Sequence, residues 1–479
     1  MKVESLSSLL AADGWLNESI TEVGDFLWTY IMIGTLIVCG LVFTCRTRFV
    51  QFTMLREMVR LLGDNFGSPR GNAHHVSSFQ AFAVSVATRV GTGNLAGVAT
   101  AIAIGGPGAV FWMWVIALIG GATAFVESTL AQLYKRENRH SFVGGPAYYI
   151  LHGLHNRPMA VTFAVLLTLT FGLSYNSIQS NTICSAMSEA FGFESWMTGV
   201  AIAALALVIV FGGIHRIARV SSVLVPIMAI GYFVLALVIV LMNISLLPHV
   251  LKVIVESAFG FGQATGGAIG MTMMMGIKRG LFSNEAGEGS APNVAAAAHV
   301  SHPVKQGLIQ TLGVYTDTLL VCSCTAFIIL ISGVYADTNL NGIVLTQVSL
   351  QSQVGSLGTT FVAIAILLFA FSSIIGNYYY GEANVLFLTR RRWVLSVYRV
   401  LSAGVLVLFG AVASLEVVWS LGDVFMALLT ACNLVAIVLL GRYAFRLLEN
   451  YRRQKRVGIA EPSFTASQMP EIAQDLDAW

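Results

Sequence analysis

The sequence predicts an all-α integral membrane protein of eleven transmembrane helices, with a peripheral first helix followed by two groups of five that form an inverted repeat. Two observations predict this class. The 479 residues are 56% hydrophobic and only 11% charged, whereas soluble domains carry about 25% charged residues. A polar motif also occurs twice within apolar stretches, at one fixed offset that carries Arg89 onto Arg279.

The repeated motif predicts that two helices are broken at membrane depth. Its copies are Thr88-Arg89-Val90-Gly91-Thr92-Gly93-Asn94-Leu95-Ala96-Gly97 and Lys278-Arg279-Gly280-Leu281-Phe282-Ser283-Asn284-Glu285-Ala286-Gly287, and the same offset carries Glu127 onto Asp317. Irregular backbone is tolerated there only where it lines a cavity or the protein interior. Paired breaks in two halves are typical of a secondary transporter with a midplane binding site.

Eleven apolar stretches are long enough to cross about 30 Å of hydrocarbon. They cover 24–45, 76–104, 108–134, 159–190, 197–213, 217–243, 263–298, 306–333, 359–388, 393–412 and 417–446. The motif copies fall on the second and seventh stretches, which cross the membrane in opposite directions because they are an odd number of helices, five, apart. We therefore pair helices two to six with helices seven to eleven, and we interpret 48–62 as an amphipathic helix on the membrane surface.

The positions of Lys and Arg orient this array. With the N-terminus outside, only Lys2 and Lys252 of the 27 basic residues lie outside, and Arg89, Lys278 and Arg279 lie within helices. The remainder then lies on the cytoplasmic side, as the positive-inside rule requires. The predicted organisation is a periplasmic N-terminus (1–23), a peripheral helix (24–45), a cytoplasmic amphipathic connector (46–75), the first repeat (76–246), an extracellular connector (247–262), the second repeat (263–446) and a cytoplasmic tail (447–479).

The first break is expected at Gly91-Thr92-Gly93, with the outer half-helix starting at about Asn94. Free N–H groups at such a start carry a partial positive charge and bind carboxylates. The alternative is that the glycines only permit a close crossing of two helices. The recurrence of Arg and Asn at matching places favours a site.

The ionisable residues at depth predict cation coupling. The carboxylates expected there are Glu127, Glu285, Glu288, Asp317 and Glu382, against the bases Arg89, Lys278 and Arg279. Charges inside the membrane need partners or water, and the surplus of negative charge would be relieved by a bound cation or proton. For Arg89, Arg279, Glu127 and Asp317 taken singly, a structural ion pair is the favoured interpretation.

Two polar pairs complete the candidate site. Ser372 and Ser373 place adjacent hydroxyls in an apolar helix, where hydroxyls usually bond to their own backbone. Together with carbonyls of a broken helix they would form an oxygen-only site for a hard cation. Asn176 and Gln179 lie three residues apart and are both expected to point inward.

These residues resemble the alanine/glycine:cation symporter family of prokaryotes. The resemblance rests on Gly105-Gly106-Pro107-Gly108-Ala109-Val110-Phe111-Trp112-Met113-Trp114, Arg89-Val90-Gly91-Thr92-Gly93-Asn94, Ser283-Asn284-Glu285-Ala286-Gly287 and Gly144-Gly145-Pro146-Ala147. It implies a leucine-transporter-like five-plus-five fold. It also implies uptake of small neutral amino acids, alanine and glycine, across the bacterial inner membrane by alternating access, coupled to sodium or, as the alternative, to protons.

The resemblance also implies residue roles. Sodium would bind the carbonyls of Ala87 and Val90 and the hydroxyls of Ser372 and Ser373. The amino acid would bind among Thr92, Gly93, Asn94, Asn176, Gln179, Phe282, Ser283, Asn284 and Asn377, with its carboxylate at Thr92-Gly93. Many family members have Trp where this chain has Asn377, so the pocket is expected to be larger and more polar, with glutamine as an alternative substrate.

Other classes of protein fit the sequence less well. An uncoupled permease or channel is the main rival, although channels usually assemble a pore from several subunits. His-Glu-x-x-His, Gly-x-Ser-x-Gly and Gly-x4-Gly-Lys do not occur in the sequence, which argues against an enzyme. The expected partners are a small neutral amino acid and the lipid bilayer, without nucleic acid, and the sequence leaves the oligomeric state open.

Overall fold

The computed structural model describes residues 15–63, 76–138, 141–211, 213–260 and 266–479. Regular structure in these residues is helical apart from one antiparallel hairpin of β1 (Arg136–Asn138) and β2 (Ser141–Val143), in which Arg136 lies opposite Val143. The predicted fold class, an all-α membrane protein, is confirmed.

The first part of the chain contains thirteen α-helices within the described residues. They are α1 (Trp15–Leu27), α2 (Ile33–Arg46), α3 (Val50–Thr53), α4 (Leu55–Leu62), α5 (Ser78–Arg89), α6 (Val98–Gly105), α7 (Ala109–Leu133), α8 (Pro146–Gly153), α9 (Arg157–Leu169), α10 (Asn176–Phe191), α11 (Ser195–Val210), α12 (Gly213–Met242) and α13 (Leu247–Ala258). Wider π-helical turns join α1 to α2 (Trp28–Met32), lead into α6 (Gly93–Gly97) and join α9 to α10 (Thr170–Tyr175).

The second part contains α14 (Gly266–Asn284), α15 (Ala291–Ala297), α16 (Val304–Tyr315), α17 (Ser323–Ser332), α18 (Gly342–Val354), α19 (Leu357–Leu388), α20 (Arg392–Val412) and α21 (Leu415–Arg456). A π-helical turn, Thr316–Cys322, joins α16 to α17. Short 3₁₀ turns lie at Ile244–Leu246, Val334–Ala336, Ala466–Gln468 and Ala473–Asp475.

Seven continuous helices are long and apolar enough to cross a membrane, and there are eight if α12 and α13, bent by 77° at their junction, form one span. Helix occurs at each of the eleven predicted positions, but the two parts of the first broken helix do not qualify singly because each is shorter than 18 residues. The stretch Gly93–Gly105, for example, is apolar but has fewer than 18 residues. The total of eleven spans therefore stays a prediction.

Both predicted helix breaks are present. At the first, α5 ends at Arg89 and the chain leaves the helix at Val90 and Gly91. Helical structure resumes at Thr92, so the expected start at Asn94 was two residues too late. At the second, the chain is irregular from Glu285 to Ser290, and Glu285, Gly287 and Gly289 have φ values of 56°, 98° and 81°. A non-glycine residue with positive φ is strained, and such strain often marks functional sites.

Two glycine-rich motifs bring neighbouring elements close to the broken helices. A side chain at Gly108 would overlap the backbone of Ala258 in α13. Gly145 has a φ of 122°, and a Cβ there would lie 2.5 Å from Oδ1 of Asn293 in α15. These glycines are required because the backbone itself is the contact surface.

The segment predicted to lie on the membrane forms α3 and α4 and also packs on the protein. Met58 and Leu61 are buried. Burial raises the pKa of Glu57, but hydrogen bonds from Arg60, Tyr451 and Lys455 outweigh that effect and lower it to about 2. The exposed Phe52, Leu55 and Val59 are the side chains left to face lipid.

Candidate functional site

Three carbonyls and two hydroxyls converge where α19 crosses the first break. The Ser373 hydroxyl lies 3.0 Å from the Ala87 carbonyl and 3.4 Å from the Val90 carbonyl, and the Ser372 hydroxyl lies 3.3 Å from the Ala87 carbonyl. Both hydroxyls also donate to the Phe369 carbonyl, at 2.8 and 3.1 Å. The four predicted residues therefore meet, and Phe369 adds a fifth oxygen.

This oxygen cluster has the chemistry of a site for a hard cation. A hydroxyl that donates its hydrogen to a carbonyl still has lone pairs with which to bind a cation. Hard cations prefer oxygen ligands. In the part of the chain that the structure describes, no group of three or more His, Cys, Asp or Glu could hold a metal ion. The cluster is built from neutral oxygens, which suits a monovalent, exchangeable ion better than a tightly held divalent one.

Two backbone N–H groups of the first break already donate hydrogen bonds to side chains of the protein. The N–H of Thr92 donates to Gln179 Oε1 at 2.9 Å, and the N–H of Gly91 donates to Asn94 Oδ1 at 2.8 Å. The hydroxyl of Thr92 is buried and has no hydrogen-bond partner among the described residues. The break therefore offers one free donor at once, and the Thr92 amide as a second if Gln179 moves.

Gln179 faces the break as predicted, but its predicted companion does not. The Asn176 amide lies 3.4 Å from both the Ser402 hydroxyl and the Gly172 carbonyl. It therefore points toward α20 rather than toward the break. Gln179 is the member of the pair that belongs to the site.

The two broken helices touch each other. A Cβ at Gly93 would lie only 3.0 Å from Ser283 Cα and 3.1 Å from the Phe282 ring. The Asn284 amide oxygen accepts from the N–H of Ala286 at 3.0 Å, so this asparagine caps the second break as Asn94 caps the first. The structure thus brings together all four predicted residues Gly93, Phe282, Ser283 and Asn284.

Each half of the chain supplies a carboxylate to the broken helix of the other half. Asp317 accepts from the Asn94 amide at 2.7 Å. Glu127 accepts from the N–H groups of Gly287 and Gly289, both at 3.2 Å. Because Glu127 and Asp317 occupy matching positions of the repeat, the two contacts are reciprocal.

The charge network divides into two groups. Arg279 pairs with Asp423 at 2.7 Å and stacks 4.1 Å from the centre of the Trp419 ring. Lys278 lies 3.2 Å from Asp423 as well. Arg279 therefore does not contact the predicted carboxylates. Glu382, which was expected at depth, lies at the periphery in a 3.3 Å pair with Arg399.

The second group is a set of four buried carboxylates with one arginine. Arg89 interacts electrostatically with all four, Glu127, Glu285, Glu288 and Asp317. Arg89 donates hydrogen bonds to the backbone carbonyl and the side-chain oxygen of Gln310, while its Nε and its other Nη have no hydrogen-bond partner among the described residues. Glu285 accepts from Ser290 at 2.5 Å, and Glu288 accepts from Tyr175 at 3.2 Å. Because Arg279 belongs to the first group, these four carboxylates face a single arginine, which is fewer bases than the sequence indicated.

A row of aromatic rings lies beside the breaks. The ring centres of Phe171 and Tyr175 are 4.7 Å apart, those of Tyr175 and Phe282 are 4.7 Å apart, and those of Phe282 and Trp419 are 4.6 Å apart. Tyr378 lies outside this row and stacks on Tyr398, with the ring centres 5.4 Å apart.

Asn377 is a buried amide without hydrogen bonds. It is 1% exposed, and neither its Nδ2 nor its Oδ1 has a partner among the described residues. It lies one turn after Ser373 on the same face of α19. Unsatisfied buried amides are costly, so this one is a candidate ligand-binding group.

Sequence reasoning missed three contributors to the site. Asp423, an acidic residue in an apolar helix, carried a usable signal. Asn433 of the same helix donates to Glu127 at 2.9 Å, but a single amide gives little warning of such a contact. The Phe369 carbonyl is backbone, and its role follows only from where α19 crosses the break.

Comparison with known proteins adds evidence independent of this geometry. Residues 13–466 match the model of the "Sodium:alanine symporter family". The chain is 52% identical to the probable sodium/glutamine symporter GlnT of Bacillus subtilis, over 92% of each chain. It is 46% identical to the amino-acid carrier protein AlsT of B. subtilis, over 98% of each chain. It is also 36% identical to the sodium/alanine symporter AgcS of Methanococcus maripaludis, over 88% of this chain and 94% of that one.

Among solved structures, the fold is similar to that of a manganese transporter mutant, H236A, of Eremococcus coleocola. The TM-score is 0.52 and the sequence identity 14%, over 85% of this chain and 92% of that one. At this identity the similarity bears on the fold alone.

Proposed function

This chain belongs to the sodium:alanine symporter family, and we propose that it couples the entry of sodium to the uptake of small neutral amino acids by alternating access. As a member of this family it is a membrane transporter and not an enzyme. Alanine and glycine are the proposed core substrates.

The observation that carries the proposal is the cluster of five oxygens at the first break. Sodium bound there would join α19 to the end of α5 and fix the carbonyls of Ala87 and Val90. The amino-acid carboxylate would bind at the next residues, the hydroxyl and amide of Thr92 and the amide of Gly93, after Gln179 releases the Thr92 amide. An ion can promote substrate binding only if it favours the conformation that binds substrate, and direct adjacency of the two sites supplies such a link.

The proposed architecture is a five-plus-five inverted repeat of eleven spans with the N-terminus outside. The reciprocal contacts of Glu127 and Asp317 support this repeat, as does the fold similarity to a transporter. Labelling with an impermeant thiol reagent in intact cells tests the orientation. A cysteine at Asn339 should react from outside, and reaction of one at Ser467 would contradict it.

Glutamine is a second candidate substrate, favoured by Asn377. Its two unsatisfied amide atoms can donate to and accept from a substrate side-chain amide. The relative with 52% identity is itself named as a probable sodium/glutamine symporter. These observations make glutamine the main alternative to alanine and glycine.

Uptake by proteoliposomes that contain the purified protein tests the proposal. Labelled alanine should accumulate under an inward sodium gradient, and it should not accumulate under an equal potassium gradient. Accumulation under a proton gradient without sodium would identify the proton as the coupling ion. Equilibration without accumulation under any gradient would identify an uncoupled permease or channel.

A further inference from the structure

An arginine-lined cavity lies at one end of the bundle, away from the transport site. Its volume is about 680 Å³, and it is bounded by the end of α2, the last turns of α21 and the C-terminal tail. Two of its arginines, Arg46 and Arg48, come from the end of α2 and the residues just after it. Five others come from the last four turns of α21.

The carboxylates of the protein do not balance these arginines. Arg446 pairs with Glu471, and Glu449 is the one acidic residue that lines the cavity. Among the described residues, Arg46, Arg48 and Arg453 form no ion pair. Among the described residues, seven arginines therefore share two carboxylates, Glu449 and Glu471, and the cavity keeps a surplus of positive charge.

The arginines also repel one another. Both Arg48 and Arg456 act electrostatically on Arg452, whose guanidinium is held by the carbonyl of Thr47 at 3.0 Å. Like charges held together are unfavourable unless an anion lies between them. Guanidinium groups bind phosphate oxygens well because their donors match phosphate geometry.

The apolar surfaces beside the cavity favour a lipid as the phosphate-bearing ligand. The cavity lies where two membrane-facing helices cross, since the rings of Phe43 and Phe445 are 6.2 Å apart. Within one to two turns of this crossing, both helices expose apolar side chains. Leu41 and Val42 of α2 are each 49% exposed, and Val438 and Leu439 of α21 are 52% and 57% exposed.

We propose that this cavity binds the phosphate headgroup of an anionic phospholipid, whose acyl chains lie along the apolar faces of α2 and α21. Basic pockets between transmembrane helices on the cytoplasmic side bind such headgroups in other membrane proteins. The bound lipid would hold the peripheral first helix against the last helix. Its headgroup would also contact the part of the C-terminal tail that lines the cavity, including Phe464 and Met469.

Native mass spectrometry of the full-length protein, titrated with dioleoylphosphatidylglycerol, tests this proposal. The wild-type protein should retain this lipid in preference to dioleoylphosphatidylcholine. The double variant Arg453→Gln/Arg456→Gln should bind it more weakly, by on the order of tenfold. The matched control Arg390→Gln/Arg391→Gln removes two exposed arginines elsewhere in the chain and should bind as wild type does.

A charge-retaining variant and a soluble anion complete the experiment. Arg453→Lys/Arg456→Lys should keep most of the binding, which distinguishes loss of a charged site from misfolding. Equal weakening in the Arg390/Arg391 control, or none in the Arg453/Arg456 variant, would overturn the proposal. Displacement of the lipid by inorganic phosphate at equal concentration would show that the cavity binds a soluble anion rather than a lipid.

Discussion

The side-chain amide of Asn94 donates a 2.7 Å hydrogen bond to the carboxylate of Asp317, and both groups are fully buried. Asn94 lies in the first copy of the repeated sequence motif, and Asp317 follows the second copy. The Asp317 position corresponds to that of Glu127, which binds the backbone of the other broken helix at Gly287 and Gly289. Each broken helix is therefore held by a carboxylate from the other half.

This contact predicts a difference between two substitutions of Asp317. Asp317→Ala removes the closest acceptor of the buried Asn94 amide and leaves it the backbone carbonyl of residue 317 at 3.3 Å and Cys322 Sγ at 3.2 Å, which costs about 1 kcal/mol. Asp317→Asn retains an oxygen acceptor and should cost less. Thermal unfolding of the detergent-purified variants measures this difference. Equal destabilisation by both would show that the negative charge, rather than the hydrogen bond, stabilises the break.

Asn377 predicts the range of substrates. Asn377→Trp replaces an amide that can donate and accept by an indole that can only donate, and it adds bulk beside the break. Glutamine should then lose its ability to compete with labelled alanine uptake, by about tenfold or more, because a site built to bind an amide is needed to recognise one. Alanine uptake itself should persist. Unchanged competition by glutamine would show that Asn377 does not contact the substrate.

His302 predicts a dependence of stability on pH. Burial lowers the pKa of this histidine from 6.5 to about 3. Its Nδ1 accepts from the N–H of Val304 at 3.2 Å, which requires the neutral ring. Below pH 6.5 this histidine binds a proton in the unfolded chain but not in the folded protein. The free energy of unfolding therefore decreases as the pH is lowered. At pH 5 the loss is about 2 kcal/mol.

Melting temperatures at pH 7.5 and pH 5 test this dependence. The wild-type protein should lose more stability on acidification than His302→Gln, which lacks the titrating group. His155→Gln, at an exposed position, is the control and should follow the wild type. An identical acid response of the His302→Gln variant and the wild type would exclude His302 as the cause.

The sequence predicted the features of the site that depend on residue type and spacing. Adjacent serines, a Gly-Thr-Gly interruption and a motif repeated at a fixed offset are visible in the chain, and the residues that they identified, Ser372, Ser373 and Thr92 among them, meet in the structure. Asn176 illustrates the limit of such spacing. Residues three apart in an α-helix point about 60° away from each other, so Gln179 faces the break while Asn176 contacts Ser402 and Gly172.

Partners that depend on tertiary packing could not be predicted from the sequence. Arg279 pairs with Asp423, which lies on the last helix, and no local pattern relates the two. The number of spans could not be settled from composition either, since the helix broken at Val90 has parts too short to be recognised singly as membrane helices. These differences arise because pairing across the bundle depends on how the helices cross.

The sodium dependence of alanine uptake by the Ser373→Ala variant is the sharpest test of whether the oxygen cluster at the first break binds sodium. This change removes the hydroxyl that lies 3.0 Å from the Ala87 carbonyl and 3.4 Å from the Val90 carbonyl, and so removes one of five oxygens. The sodium concentration for half-maximal uptake should rise about tenfold or more, with near-normal uptake at saturating sodium. Ser402→Ala, which removes a buried hydroxyl from α20, should leave it unchanged. A wild-type sodium curve for Ser373→Ala would contradict the assignment of this cluster as the sodium site.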